Sequence, residues 1–397
     1  MSEVGFLVRR TLFTFRLSRR TIRFKEYTHG HYMFYIKNGL KRSLKKIHLL
    51  VLIRFFAKIF HTANVTFIFP IVMRSRVLSR VYYLFSPKFS RENRAVLHGL
   101  WRHAKDENGL NRYELVRNIH RIEKGLCMRD RKSVFGLSYL PQTLEIYEKL
   151  VQEYRAGKKT MCEHQITWAH DVLEYYFDIA ENDPTVKTYK QKFNAVAHPL
   201  SQPRDTKLIP YKRKNSFFSK TTYPDFHALA LQRRSVRWFL DKPVERALID
   251  KAIEVAELSP SDCNRSPVEF LIFDSPDYVR KIAQIPLGTS GFHANIPVIV
   301  VVVGALDAYG FERDRHGIYI NTGLKSMSFM YALETLGLAS CPLNWPDIEE
   351  KERELNHILN LQSFQRPTML IALGYPDPEG YIPYSAKKCV AEVRTYI

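Results

Sequence analysis

Acidic side chains are what the first quarter of this chain lacks. Residues 1–100 hold three (Glu3, Glu26 and Glu92) against 20 Lys and Arg, so +17 of the total +20 net charge sits there. The remaining residues are close to neutral, and an anionic partner is expected for the quarter rather than for the whole molecule. Long apolar runs are also missing. The longest stretch of that quarter without Lys or Arg, residues 59–73, is 15 residues and contains His61, Asn64 and Pro70. A membrane-crossing helix needs about 20 predominantly apolar residues, so a full span is not expected. No small-residue cleavage pattern comes after residues 6–23, which speaks against a secretory leader. Cysteine is sparse: Cys127, Cys162, Cys263, Cys341 and Cys389 form no Cys-x-x-Cys pair. That excludes a zinc ribbon or a redox dithiol and fits a reducing, cytoplasmic compartment. No metal site is expected. Neither a Gly-x-Gly-x-x-Gly nor a Walker loop occurs, so side chains must hold any bound phosphate.

Side chains suited to that task are present. Arg233-Arg234-Ser235-Val236-Arg237 packs three guanidinium groups and a hydroxyl into five residues, and Pro260-Ser261-Asp262-Cys263-Asn264 stands one short helix later. Guanidinium forks grip phosphate oxygens bidentately. Standing alone, such a run reads more simply as a solvated surface. It does not stand alone, because an ordered series of elements extends from it to the C-terminus. Apolar strands are expected at 268–273, 297–303 and 367–373, and their near-continuous apolar character suits a sheet covered on both faces. Leu248, Ile249, Ala252, Ile253 and Ala256 recur at helical spacing before Pro260 stops that helix. A helix with Gly, Ser, Met and Ala spans 317–336 and ends in Gly337-Leu338-Ala339-Ser340-Cys341-Pro342, and the chain closes with Ser385-Ala386-Lys387-Lys388.

Over roughly residues 225–397 this series resembles the nitroreductase family of FMN oxidoreductases. The resemblance implies an α+β fold, a central mixed sheet flanked by helices. It also implies a site. Arg233 and Ser235, with Arg234 between them, would meet the FMN phosphate, and Arg237 the pyrimidine edge of the ring. Pro260, Ser261 and Asn264 would reach the flavin of a second subunit, which makes the protein a homodimer with shared sites. Backbone at Pro342, Leu343 and Asn344 would face flavin N5 and O4, and Lys387 or Lys388 would close over the phosphate. NADH or NADPH would be the donor and an electron-poor small molecule the acceptor. No side chain is assigned as catalytic; His316, Tyr319 and Tyr309 are candidate proton donors, and water serves as well. His293 reads as a structural or surface residue.

Three positions depart from the pattern. Ser266-Pro267-Val268 stands where many relatives have Gln-Pro-Trp, Asn344-Trp345 where an acid and glycine are frequent, and Lys387-Lys388 where Arg is common. They point to a retained flavin site with an altered substrate face, or, as the alternative, to a membrane-associated scaffold or binding protein with a degenerate flavin fold.

Ahead of that domain the chain divides into a basic, aromatic and mainly helical region at 1–100, a helical region at 101–198 and a Pro- and Lys-containing linker at 199–224. Basic residues interleaved with Phe, Leu and Ile predict that 1–100 lies on an anionic membrane surface, in preference to nucleic acid, as a peripheral protein on the inner face. In 101–198 three apolar stripes stand out: Leu115, Ile119, Ile122 and Leu126; then Leu144, Ile146, Tyr147, Leu150, Val151 and Tyr154; then Ile166, Val172, Leu173, Tyr176 and Phe177. Residues 117–126, with His120, Glu123 and Lys124, resemble an extension on nitroreductase-like proteins of bacterial surface-polysaccharide gene clusters. That implies a link to polysaccharide synthesis.

Overall fold

The computed structural model describes residues 62, 64–85, 89–105, 111–158, 160–180, 183–196, 207–213 and 218–397. The membrane-surface reading of the first quarter falls mostly outside these residues, as does much of the linker. Two units separate, Met1–Ser86 and Pro87–Ile397. In the first, a π-turn at Asn64–Ile68 runs into a single α turn, Phe69–Val72. Helix α1, Arg76–Leu84, then starts at Ser75, whose Oγ accepts the N–H groups of Val77 and Leu78. Among the described residues no helix is long and apolar enough to cross a membrane.

The second unit begins with α2, Ser90–Ala104, whose Ala95 and Val96 pack on Leu306, Ala308, Tyr309 and Ile318. Four helices come next: α3 Arg112–Leu126, α4 Leu140–Arg155, α5 Glu163–Ala180 and α6 Pro184–Ala195. All three sequence stripes point into one shared core, with only Tyr154 left partly covered. Inside it the Tyr147 hydroxyl meets His170 Nδ1 at 2.7 Å, which pairs these two buried polar groups. Lys207 and the Leu208 N–H tie the next segment back to Glu174 and Asp171 of α5, each at 2.7 Å.

After α7 (Tyr223–Gln232) and α8 (Arg246–Glu257) comes a four-stranded sheet: β1 Val268–Phe273, β2 Val298–Ala305, β3 Ala339–Leu343 and β4 Gln365–Gly374, in the order β1-β2-β4-β3. The ladders are antiparallel, and an isolated parallel bridge between Ser235 and Ser340 adds a further backbone contact along β3. Successive side chains of β2 point to opposite faces. Ile299, Val301 and Val303 enter a core with Val279 and Ile282 of α9 (Pro276–Ala283) and Leu355 of α11 (Glu349–Leu359). Val298, Val300 and Val302 enter another with Ile249 and Ala252 of α8 and Phe329 and Leu333 of α10 (Gly317–Thr335). Helices on both faces explain the continuous apolar run, although the strands are antiparallel. The segment 337–342 that ends α10 turns only at Leu336 and Gly337, with Gly337 at φ +76, and β3 begins at Ala339. Pro342 is tolerated because β3 ends the ladder order.

Candidate active site

The cationic pentapeptide leaves α7 as extended backbone and runs along β3. Val236 N–H donates to Ser340 O at 3.0 Å, beside the Ser235–Ser340 bridge. That pairing brings Arg233, Ser235 and Arg237 to the strand carrying Pro342 and Leu343. Burial pushes the Cys341 thiol pKa up, while the Arg237 and Arg233 charges and a Ser235 hydrogen bond pull it down, so all three lie close to one β3 side chain. Arg234 turns away: its Nη1 donates to the carbonyls of Ala230 (3.4 Å) and Arg233 (3.1 Å), capping the C-terminus of α7. Arg237 Nη1 reaches Ser235 O at 3.4 Å, and its guanidinium lies 5.8 Å from the Phe292 ring centroid. Two buried polar atoms here, Arg233 Nε and Ser340 Oγ, have no partner. A guanidinium donor left without a partner near a second guanidinium group fits an anionic group such as the phosphate of FMN.

The second motif is held in unusual backbone. Cys263, Asn264 and Ser266 adopt positive φ (49°, 58° and 47°). Left-handed conformations in non-glycine residues cost on the order of 1–3 kcal/mol each and persist only where the surroundings over-determine them. They do so here. Ser261 Oγ accepts the Ser266 N–H at 3.1 Å, Asp262 Oδ2 accepts from the Tyr309 hydroxyl (3.0 Å) and Asn321 (3.3 Å), and Arg265 donates to the carbonyls of Asp262 and Ala308. Behind the loop, the Lys325 ammonium pairs with Glu257 and donates to Ser266 Oγ. The strain leaves the Asn264 side chain exposed. No hydrogen bond, ion pair or ring contact among the described residues joins this loop to residues 233–237.

The remaining assignments separate. The Leu343 side chain is buried in the core, leaving its backbone as the available surface, and Asn344 is exposed beside it. Lys387 and Lys388 are exposed and meet no partner among the described residues. Tyr309 is not positioned as a proton donor: it is buried, its hydroxyl engages Asp262, and burial raises its pKa. His316 is exposed at the start of α10, and burial raises the pKa of Tyr319. The departures have structural uses. Ser266 anchors Lys325, and buried Trp345 donates through Nε1 to Glu352 at 3.3 Å. Lys325 and Asn321, and the bonding of Tyr309 to Asp262, are not legible in sequence; a lysine inside an apolar helix is the one visible sign.

Residues 230–289 and 279–375 match the model of the nitroreductase family. This part of the chain is a nitroreductase-family domain. It is 26% identical over 188 residues to an NADH dehydrogenase of Thermus thermophilus, covering 40% of this chain and 89% of that protein. Human iodotyrosine deiodinase 1 is 23% identical over 216 residues, covering 44% and 73%. Among solved structures, an FMN-dependent nitroreductase from Clostridium difficile aligns with a TM-score of 0.35 at 21% identity, over 40% of this chain and 91% of that one. A nitroreductase-family protein from Streptococcus pneumoniae aligns with a TM-score of 0.37 at 22% identity, over 43% and 100%. The nitroreductase domain thus accounts for under half of the chain, and the helices α2–α6 lie outside the matched residues.

Proposed function

We propose that the protein is an FMN-dependent oxidoreductase that takes reducing equivalents from NADH or NADPH and passes them to a small electron-poor acceptor. The observation that carries this reading is the pairing of residues 235–236 with Ser340, which sets Arg233, Ser235 and Arg237 beside the end of β3. Arg233 and Ser235 would hold the phosphate of FMN, and Arg237 would lie near its pyrimidine edge. When bound, FMN supplies the hydride chemistry, while the protein supplies position and charge. Arg237 is suited to stabilise the negative charge that two-electron reduction places on the ring, as preorganised donors do elsewhere. Backbone at Leu343 and Asn344 offers uncharged contacts that orient the reacting face. The exposed Asn264, on a loop with no bond to Arg233 in its own chain, supports a homodimer in which this loop completes the partner's site. The structural uses found for Ser266 and Trp345 weaken the case for a degenerate fold.

The test is the visible absorption spectrum of the purified full-length protein, then denaturation and quantitation of released flavin. About one FMN per chain, with bleaching on addition of NADH or NADPH, is the expected result. A colourless protein that also fails to take up added FMN would overturn the reading in favour of the scaffold alternative.

A further inference from the structure

A second cation-rich cleft lies away from Arg233, between α2 and the α11–β4 connection, with a volume of about 190 Å³. Its floor is Arg366, 4% exposed, whose Nη2 donates to Asp347 (3.2 Å) and Glu352 (3.1 Å) while Nε and Nη1 have no partner. Arg91 of α2 pairs with Asp347, and its Nε and Nη1 stand 3.8 Å from Glu349 and 3.7 Å from Glu352, ion-paired without a hydrogen bond. Burial lowers the Arg91 pKa, with Glu352 and Glu349 pulling it up and the nearby Arg366 charge pulling it down, so the two guanidinium groups share one set of carboxylates. The rim adds Arg94 from α2 and Arg353 from α11, both exposed and without a carboxylate partner among the described residues.

The neutral lining is donor-rich as well. Asn356 Oδ1 accepts the Leu361 N–H at 2.8 Å and Gln365 Oε1 accepts the Gln362 N–H at 3.0 Å. Each amide oxygen is thereby engaged, which orients its NH₂ group as the free end. Four guanidinium groups exceed by one the three carboxylates that face them, Asp347, Glu349 and Glu352. Buried donors without acceptors are rare and call for a partner. The volume is that of roughly six liquid waters, enough for one small oxyanion or the end of a larger molecule.

We propose that this cleft binds a phosphate group, with Arg94 and Arg353 closing over it from opposite walls and Arg366 beneath. Guanidinium groups match phosphate geometry, and the site depends on α2, which lies outside the residues matched to the nitroreductase family. The source is either soluble phosphate or a phosphomonoester headgroup.

The test is made in full-length Arg233→Ala, which weakens the other anion site, by calorimetric titration with inorganic phosphate. One saturable site per chain is expected, with a Kd at least tenfold weaker when Arg94→Ser and Arg353→Ser are added. Both added changes are at exposed residues, and an unchanged thermal melt shows that the fold survives. No saturable binding, or equal binding in the triple variant, overturns the proposal. Sedimentation with phosphatidic acid vesicles then separates the sources. Weaker capture of the triple variant assigns the headgroup, and equal capture alongside weakened phosphate binding assigns the soluble ion.

Discussion

Arg233 and Lys325 are both cations withdrawn from bulk water, and they are stabilised in opposite ways. Arg233 keeps an unpartnered Nε beside Ser235, whereas Lys325 is fully occupied by Glu257 and Ser266. A hydrogen bond to a charged group contributes about 1.5–3 kcal/mol. Arg233→Ala is therefore expected to weaken FMN binding by roughly 10- to 100-fold with little change in melting temperature, read by flavin fluorescence titration. At the Lys325 pair the cost falls on stability and is asymmetric. Glu257→Ala strands a buried ammonium and should cost about 2–3 kcal/mol, under the range for a fully buried pair because Glu257 is half exposed. Lys325→Met keeps the volume and lets Glu257 turn to solvent, so it should cost less; denaturant melts giving the reverse order would refute this account. Asp307 gives a pH dependence. Burial, partly offset by Arg112 and Arg102, raises its pKa, and its Oδ1 is buried without a partner. An acid with a higher pKa folded than unfolded opposes folding when ionised, and the penalty disappears as pH falls through the folded value toward ~3.9. Asp307→Asn should raise Tm near neutral pH and lose that advantage by about pH 4.

At the scale of elements, α2 is joined to the nitroreductase domain through a glycine. A Cβ on Gly99 would lie 2.7 Å from the Leu306 carbonyl carbon, so only glycine permits this approach. Gly99→Ala is expected to cost about 1–3 kcal/mol by pushing α2 outward, and faster amide exchange confined to α2 and residues 306–308 would locate the damage. Strand β3 was not legible in sequence for a physical reason. Gly337-Leu338-Ala339-Ser340-Cys341-Pro342 has no β-branched residue and contains a proline, so its local preference is for a turn. Pairing with β4 on one side and the Ser235 bridge on the other override that preference. The stripes of α3, α4 and α5 were legible because each helix buries one periodic face, and periodicity survives in sequence.

For the whole molecule, the uneven charge and the divided site each carry an expectation. If the Asn264 loop completes a partner's site, light scattering should give twice the 46.6 kDa chain mass, and Asn264→Ala should weaken FMN binding without dissociating the dimer. If the +17 of the first 100 residues meets an anionic bilayer, the full-length protein should sediment with anionic vesicles and be released as salt is raised, since screening shortens the reach of exposed charges. Retention that is indifferent to salt would argue against an electrostatic partner.

Which parts pack, and which chemistry they carry, follows from residue order. Helical stripes, apolar strands and the Arg-Ser and Pro-Ser-Asn motifs are local patterns, set by side-chain spacing along the chain. Which cations are free follows from the folded arrangement. The Arg234 guanidinium is spent on carbonyls at the end of α7 while the Arg233 Nε has no partner, and Lys325 is satisfied by Glu257 and Ser266, 68 and 59 residues away. Arg91, Arg353 and Arg366 meet around one cleft although α2 and α11 are far apart in sequence. A side chain's partner is a property of folded space: every Arg in the sequence carries the same charge, and burial and neighbours alone distinguish the one left waiting for a ligand.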